Sequence, residues 1–286
     1  MEKIIENSET KNFRTIIICG LVMLTLVAAA EAIGAEKLHI EGSTTVGPIA
    51  DGFAEVFSSM YPDVTITVNK SGSGTGAAAL IDSRCDIATM SRFMKEQEFK
   101  DAIAKNVFPV AHVVAMDGVC IVVHPSNPIG ALTTEQVRNI YLGKITNWNQ
   151  LGGPDIPIVA ISRDTSSGTY ETFESFVMNK EKMVSSVEYV STNPQAFARV
   201  KNTRGAIGYV GFGFVQEGVK AITLDGVAPT RQTILTGKYP VSRPLFMFTN
   251  GYPKLGSMTH KFVTFYLTEK GQEVIEDKGF VAVTEY

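Results

Sequence analysis

Three short loops of this sequence combine hydroxyl side chains with glycine, a composition that is typical of anion binding. They read GSTTVGP at 42–48, SGSGTG at 71–76 and RDTSSGT at 163–169. Each loop is expected to follow a strand and to open a helix, whose first N–H groups are unpaired and carry partial positive charge. Glycine lets the backbone approach a ligand closely, and hydroxyl groups add donors. The sequence therefore predicts an oxyanion site built mainly from neutral donors.

The alternative interpretation of these loops is that their serines and threonines only cap helices, since both residue types are favoured N-caps. One loop alone would favour capping, whereas three such loops with an arginine beside the third favour a binding site. That arginine, Arg163, offers a planar guanidinium that matches two oxygens of a phosphate or sulfate, although it could also be a surface residue paired with Asp164. Arg92, which follows the run DIATMS at 86–91, is a second candidate that could instead form a salt bridge between two lobes.

The elements that must position these loops alternate between strand and helix patterns, which predicts an α/β fold with parallel strands. Strands are expected at 38–40, 64–68, 86–89, 107–116, 118–124, 156–161, 205–210 and 243–249. Helices are expected at 46–60, 75–83, 133–142, 169–178, 193–201, 258–268 and 271–278. Strand-to-helix loops of such a fold gather at the carboxyl ends of the strands, where ligands bind. We expect one lobe from residues 36–117 with 244–286 and a second from 118–243, with chain crossings at 118–124 and 243–249.

The composition of the 286-residue chain is ordinary for a globular protein, with 44% hydrophobic and 19% charged residues. The formal net charge is −3, so no basic surface suggests nucleic acid, and local geometry would have to hold an anion. The sequence contains neither a G-x-x-x-x-G-K phosphate loop nor a G-x-S-x-G serine motif, and its four histidines lack metal-ligand spacing. We therefore expect binding instead of catalysis, with no cofactor and no metal. A hydrolase that uses Ser73 or Ser167, and a sensor or adhesion protein on the same scaffold, are the alternatives.

The N-terminal segment predicts export from the cell. Basic residues at 3, 11 and 14 precede an apolar run at 15–30, and small residues lie at 28, 30 and 32, which is the pattern of a secretory signal. We assign residues 1–35 to the signal peptide and the start of the mature chain. An uncleaved anchor is the alternative, because glutamates interrupt the basic region. Of the remaining cysteines, Cys85 and Cys120 could pair in an exported protein or stay as buried thiols.

Together with the three loops, the runs DIATMSR at 86–92, ITNW at 145–148 and GAIGY at 205–209 resemble the periplasmic phosphate-binding proteins of bacterial ABC transporters. The resemblance lies in the order and spacing of these runs, and it extends from residue 38 to the end of the chain. It implies a two-lobed type II fold with the ligand cleft between the lobes and a two-strand hinge. It also implies a periplasmic monomer that captures inorganic phosphate for an ABC permease.

The family's ligand residues carry over to this chain loop by loop. The resemblance implies that the first loop binds through the hydroxyl and N–H of Thr44 and the N–H of Thr45. It implies Ser73 from the second loop, and Arg163 with the run SGT at 167–169 from the third. The complete set of candidate ligand residues is Ser43, Thr44, Thr45, Ser73, Ser91, Arg92, Arg163, Ser167, Gly168 and Thr169.

One position of the chain departs from the best-known members of this family. Arg92 stands where those members carry an aspartate that accepts the proton of hydrogen phosphate. A guanidinium only donates hydrogen bonds and cannot accept that proton. The choice between phosphate and sulfate is therefore open, and sulfate or another oxyanion is the alternative ligand.

Overall fold

The computed structural model describes residues 36–283 of the chain. Its helices are Gly47–Met60 (α1), Ser73–Ile81 (α2), Glu96–Ala104 (α3), Thr134–Tyr141 (α4), Gly168–Phe176 (α5), Asn193–Lys201 (α6), Arg231–Leu235 (α7), Met258–Thr264 (α8) and Glu269–Asp277 (α9). Its strands are Lys37–Gly42 (β1), Thr65–Lys70 (β2), Ile87–Met90 (β3), Pro109–Val123 (β4), Ala131–Leu132 (β5), Val159–Arg163 (β6), Glu188–Val190 (β7), Ala206–Gly211 (β8), Lys220–Ala221 (β9), Thr223–Leu224 (β10) and Ser242–Asn250 (β11). None of the helices described has both the length and the apolar composition that a membrane crossing requires. The predicted export segment at 1–35 lies outside the described residues.

The main sheet has the strand order β2-β1-β3-β11-β4-β8-β6-β7, with β9 also paired to β4. Strand β1 runs parallel to β2 and β3, and β6 runs parallel to β7 and β8. The two parallel groups are joined through β11 and β4, which pair antiparallel with each other and with their outer neighbours β3 and β8. The predicted fold class is confirmed, because each parallel group forms one lobe of a two-lobed α/β protein.

Strand β4 connects the two lobes because its two parts pair with different neighbours. Residues 109–118 pair with β11, from Asn250 opposite Pro109 to Ser242 opposite Gly118. Residues 119–123 pair with β8. The partner of β4 therefore changes between residues 118 and 119, and the lobe limits at 117/118 and 243/244 stay predictions.

The most informative difference from the sequence prediction also lies in β4. The sequence predicts two runs separated at 117, since an Asp-Gly pair is a turn signal, whereas the structure has one strand of 15 residues. Asp117 remains inside the strand because its carboxylate is buried in an ion pair with Arg243 of β11. Helix α3 was not among the predicted helices, because its sequence is mostly polar and only Ala102 of its residues is buried. Five very short elements (β5, β7, β9, β10 and α7) were also not predicted.

Aromatic packing in the second lobe fixes the strand and helix that flank the third loop. The ring of Phe173 in α5 stacks on the ring of Tyr209 in β8, with centroids 4.0 Å apart and planes 8° from parallel. The Tyr209 hydroxyl lies 2.7 Å from Ser162 Oγ and accepts the backbone N–H of Arg163 at 3.1 Å. The backbone of Arg163 is thus held from the β8 side, which restricts where its side chain can point.

The two cysteines of the described residues are free thiols. Burial, with Glu41 and Asp86 adding negative charge, raises the pKa of Cys85 to about 12, and burial raises the pKa of Cys120 well above its usual value. Because the thiolate is the reactive form, we expect neither cysteine to react with iodoacetamide in the native protein at neutral pH. Both should react after unfolding in urea, as measured by mass spectrometry of the labelled peptides. Rapid labelling of native Cys85 would contradict this prediction.

Candidate anion-binding site

Each of the three predicted loops joins a strand to a helix. Residues 42–48 connect β1 to α1, residues 71–76 connect β2 to α2, and residues 163–169 connect β6 to α5. The second and third loops touch directly, because the N–H of Gly74 donates to the carbonyl of Ser166 at 3.0 Å. The loops therefore meet between the lobes.

Arg163 ends β6 and turns its guanidinium inward, where the residue is only 1% exposed. Its Nη2 donates to Thr44 Oγ1 at 3.0 Å and to the carbonyl of Ser191 at 2.7 Å. Nε and Nη1 are buried and have no hydrogen-bond partner among the described residues. Burial lowers the pKa of Arg163 to about 10, which leaves the side chain cationic at neutral pH. A buried cation with two unused donors is suited to receive an anion.

The alternative in which Arg163 is a surface residue paired with Asp164 is wrong. The Asp164 carboxylate accepts the N–H and the hydroxyl of Ser166, at 3.0 and 2.6 Å. Asp164 thereby shapes the third loop, and the hydrogen bonds of the Arg163 guanidinium go to Thr44 and Ser191 instead.

The hydroxyls of the first and third loops meet in a buried cluster. Thr45 Oγ1 lies 3.0 Å from Thr169 Oγ1, so these two loops are in direct contact across the lobes. Asn193, the first residue of α6, donates from Nδ2 to Thr45 Oγ1 at 2.9 Å and to Thr44 Oγ1 at 3.4 Å. The three threonines are at most 8% exposed, so their hydrogen bonds are shielded from competing water.

Two serines of the candidate set act as local caps. Ser43 Oγ accepts the N–H of Thr45 at 3.1 Å and that of Val46 at 3.3 Å. Ser167 Oγ caps α5 by accepting the N–H of Thr169 at 3.2 Å and that of Tyr170 at 3.3 Å. The N–H of Thr45, which the resemblance offers to the ligand, therefore has an internal partner, and the Thr45 hydroxyl is the group that joins the cluster. A hydroxyl that accepts two N–H groups still has its own hydrogen to donate.

The remaining serines, Ser73 and Ser91, lie opposite the start of α5. Their Oγ atoms are 3.2 Å apart, and Ser73 Oγ accepts the N–H of Ser91 at 3.0 Å. A Cβ added to Gly168 would lie 2.5 Å from Ser73 Oγ and 2.7 Å from Ser91 Oγ. Only glycine at position 168 allows the first turn of α5 to approach the two serines so closely.

Arg92 follows β3 and faces carboxylates. Its Nη1 and Nη2 donate to the two carboxylate oxygens of Glu98, both at 2.7 Å. Its Nε lies 2.5 Å from the carboxylate of Glu171 in α5, and Lys95 Nζ lies 3.1 Å from the same carboxylate. The ion pairs of Arg92 and Lys95 with Glu171 join the two lobes, as in the salt-bridge alternative. The assignment of Arg92 as an anion ligand stays a prediction.

Replacing Glu171 with glutamine is expected to weaken ligand binding by about tenfold or less through faster opening of the lobes. Arg92 keeps Glu98, so the variant removes one partner without leaving the guanidinium alone. Burial raises the pKa of Glu171 against the opposing effect of Arg92, and this desolvation limits what the ion pair contributes. Stopped-flow measurement of ligand release would test this, with Glu188→Gln, in an exposed pair with Arg199, as the control. Equal release rates for wild type and Glu171→Gln would contradict the prediction.

Three residues of the buried hydrogen-bond network around the threonines were absent from the set of candidate ligand residues. Asn193 contacts Thr44 and Thr45, as described above, while Asp117 and Arg243 form a buried ion pair. Arg243 donates from Nη1 to the carbonyl of Gly168 at 3.2 Å and from Nη2 to Thr169 Oγ1 at 3.0 Å. The charges of Asp117 and Arg243 next to apolar runs mark each residue as unusual, but they do not show that the two residues pair.

The serines considered for hydrolysis have no base beside them. In the described part of the chain, the Ser73 hydroxyl makes hydrogen bonds to Ser91, and the Ser167 hydroxyl to backbone N–H groups. Neither contacts a histidine or a carboxylate that could remove its proton. Residues 36–283 also contain no group of three or more His, Cys, Asp or Glu side chains placed to hold a metal ion. The geometry suits anion binding better than nucleophilic catalysis.

The chain has two lobes joined by paired central strands, and helix-opening loops and a buried arginine meet between the lobes. This arrangement defines the class of two-lobed solute-binding proteins. The family model described as a PBP superfamily domain matches residues 27–270 of the chain.

Two relatives with phosphate in their names share this sequence over most of its length. The phosphate-binding protein PstS of Borreliella burgdorferi is 30% identical over 260 residues, which cover 87% of this chain and 91% of the relative. That of Staphylococcus saprophyticus is 35% identical over 262 residues, which cover 87% and 81%. A substrate-binding protein from Clostridium perfringens, solved with bound phosphate, is 33% identical with a TM-score of 0.80, and the match covers 87% of this chain and 100% of that one. The chain belongs to the PBP superfamily and, within it, to the family of phosphate-binding proteins of ABC transporters.

Proposed function

We propose that this protein is exported, binds inorganic phosphate between its lobes and delivers it to an ABC permease. The observation that carries the proposal is the Arg163 guanidinium, which is buried, has no carboxylate in hydrogen-bond contact and keeps two donors unused among the described residues. An uncompensated buried charge is costly. Phosphate oxygens that accept from these donors would neutralise the charge.

The loops around Arg163 supply the other donors that a dianion needs. We assign Thr44, Thr45 and Thr169 to one side of the ligand and Ser73 with Ser91 to the other, with the N-terminus of α5 adding N–H groups and partial positive charge. A charge-assisted hydrogen bond contributes about 1.5–3 kcal/mol, and micromolar affinity requires about 8 kcal/mol. A few such bonds are enough for micromolar binding when their summed free energy exceeds the free energy needed to close the lobes by about 8 kcal/mol.

Isothermal titration calorimetry of the purified protein with phosphate, sulfate, molybdate and a nucleotide tests the proposed ligand. We expect micromolar or tighter binding of phosphate and no binding of the nucleotide, whose bulk does not fit between touching loops. If the protein binds none of these inorganic oxyanions, the proposed function is wrong. A phosphatase assay on the same sample should give no turnover with or without added metal ions.

Delivery to a permease is a separate part of the proposal and has its own test. Cells lacking this gene should take up radiolabelled phosphate more slowly at micromolar external concentrations, and a plasmid copy should restore uptake. Unchanged uptake together with phosphate binding in vitro would favour a sensor instead of a transport protein.

A further inference from the structure

The loop between β11 and α8 displays the two most exposed large apolar side chains of the described residues. Tyr252 is 85% exposed and Leu255 is 83% exposed, whereas no other such side chain among residues 36–283 exceeds 57%. A Cβ added to Gly251 or Gly256, which flank this pair, would meet no atom within 4 Å. Residues 251–256, the apolar loop, therefore stand clear of the lobe that carries them.

Hydrogen bonds hold the base of the apolar loop. The N–H of Gly251 donates to the carbonyl of Phe108 at 2.7 Å, and the carbonyl of Gly251 accepts the hydroxyl of Thr249 at 2.8 Å. At the other end, the N–H of Ser257 donates to the carbonyl of Lys254 at 2.9 Å. The two apolar side chains are thus presented on a fixed base, which lowers the conformational entropy that a contact with a partner would cost.

The apolar loop lies at the end of the first lobe that is opposite to the anion-binding loops. Strand β11 runs antiparallel to β3, so the loop follows β11 at the edge of the sheet where β3 and its parallel neighbour β1 begin. The anion-binding loops at 42–48 and 71–76 follow the other ends of β1 and β2. Changes in the apolar loop should therefore leave anion binding intact.

The edge of the sheet that carries the apolar loop is also where the chain enters the first lobe, at Lys37 of β1. Only residues 31–36 separate this entry from the apolar run at 15–30, which predicts export through a membrane. Six residues of extended chain span about 20 Å. A bilayer that holds the run during export is therefore close to this edge of the lobe.

The side chains of the apolar loop have the chemistry of the membrane interface. Tyrosine is enriched at the level of the headgroups, and lysine keeps its charge in water while its stem lies along apolar surface. Lys254 stands between Tyr252 and Leu255 in the sequence and forms no ion pair in the described part of the chain. Its ammonium can therefore pair with the phosphate of a lipid headgroup.

We propose that the apolar loop docks on the surface of a lipid bilayer, with Tyr252 and Leu255 inserted among the headgroups and Lys254 on a lipid phosphate. Docking keeps the protein beside the membrane without using the loops that bind the anion. The inference goes beyond the proposed function and does not depend on phosphate binding.

Quenching of tryptophan fluorescence by brominated acyl chains tests contact with lipid at single residues. The one tryptophan of the chain, Trp148, is 0% exposed and gives an unquenched background. Tyr252→Trp places a reporter on the apolar loop, and Tyr189→Trp is the matched control, since Tyr189 is 51% exposed on β7 at the far edge of the sheet. The exported protein is bound to vesicles of phosphatidylglycerol and brominated phosphatidylethanolamine. We expect loss of the added fluorescence of Tyr252→Trp and none for Tyr189→Trp.

Sedimentation with the same vesicles measures how much the apolar loop contributes to binding. Tyr252→Ser/Leu255→Ser should lower the partition coefficient at least about tenfold, because the two side chains no longer move from water into lipid. Leu235→Ser is the control and should bind as the wild type does, since Leu235 ends α7, which packs beside Gly118 at the opposite end of β11. Calorimetry with phosphate should give the same affinity for all of these variants.

The quenching comparison decides the proposal even where a retained N-terminal run holds the protein on the vesicle. Unquenched fluorescence of Tyr252→Trp, or equal quenching of both tryptophan variants, would overturn it. Unquenched Tyr252→Trp with slower phosphate uptake by cells that carry Tyr252→Ser/Leu255→Ser would assign the loop to a protein partner. Failure of the wild type to bind phosphate would overturn the proposed function and leave the lipid contact standing.

Discussion

Replacing Arg163 with methionine is expected to weaken phosphate binding by about a hundredfold or more without destabilising the ligand-free protein. The variant removes the two free donors, Nε and Nη1, that we assign to the ligand. Two charge-assisted hydrogen bonds of at least about 1.5 kcal/mol each correspond to this factor. Methionine fills a similar volume and removes an unpaired buried charge, so the Tm of the ligand-free protein should stay unchanged or rise.

Calorimetry and thermal unfolding together measure the two halves of this prediction. Arg199→Met is the matched control, since Arg199 is exposed on α6 and its ion pair with Glu188 lies at the surface. We expect the control to bind phosphate as the wild type does. Phosphate affinity of Arg163→Met within about threefold of the wild type, a difference well below one charge-assisted hydrogen bond, would place Arg163 outside the site.

The residues that the sequence could identify are those whose signal is local. The loops at 42–48, 71–76 and 163–169 each contain a strand end, glycines and a helix start within a short stretch of chain, so their chemistry can be recognised without the rest of the fold. Arg163 was identifiable for the same reason, because it stands at the end of a strand and close to a helix N-terminus. Parallel strand pairing and the Gly74–Ser166 hydrogen bond bring the loops together, and their joint use as one binding site stays a prediction.

The sequence does not identify Asn193 or the Asp117–Arg243 pair as parts of the site, because their partners are distant in sequence. Asn193 reads as the start of a helix, which it is, and its contacts to Thr44 and Thr45 span 149 and 148 residues. The Asp117–Arg243 pair depends on the register of β4 against β11, in which these two residues lie directly opposite each other. Strand periodicity gives neither the partner strand nor the register.

Arg92 illustrates a choice that the local sequence left undecided. Glu98, six residues on, was available as a partner from the start, but Glu171 belongs to a helix of the other lobe. The interlobe interpretation therefore required the placement of α5. With both carboxylates in contact, Arg92 is occupied by charge pairing.

Replacing Arg243 with methionine is expected to lower the free energy of unfolding by about 3–5 kcal/mol, the usual cost of leaving one partner of a buried ion pair alone. Asp117 is 0% exposed and Arg243 is 4% exposed, so water cannot replace the lost partner. Urea unfolding followed by circular dichroism measures the change. A loss below about 1 kcal/mol, which is typical of an exposed pair, would contradict the prediction.

The loss of stability in Arg243→Met should depend on pH, and the protonation of Asp117 decides whether the loss grows or shrinks as pH rises. Burial raises the pKa of this carboxyl, and Arg243 opposes that rise. Without Arg243 the folded-state pKa rises further above the unfolded value, so the folded protein binds the proton more tightly. Stability is then fully present below the unfolded pKa and is lost as pH rises through the raised folded pKa. The deficit of Arg243→Met relative to wild type should be smaller at about pH 5 than at about pH 8.

The double variant Asp117→Asn/Arg243→Met separates stability from binding. Asparagine removes the orphaned charge and can still accept the N–H of Phe212, which donates to Asp117 Oδ1 at 2.8 Å. Most of the lost stability should therefore return, since neutral replacements of buried ion pairs are well tolerated. Phosphate affinity should remain below that of the wild type, because Thr169 no longer receives a hydrogen from Arg243 and its hydroxyl can turn away from the ligand. Full recovery of both would mean that the ion pair serves folding alone, whereas recovery of stability without binding would assign the pair to orienting the site.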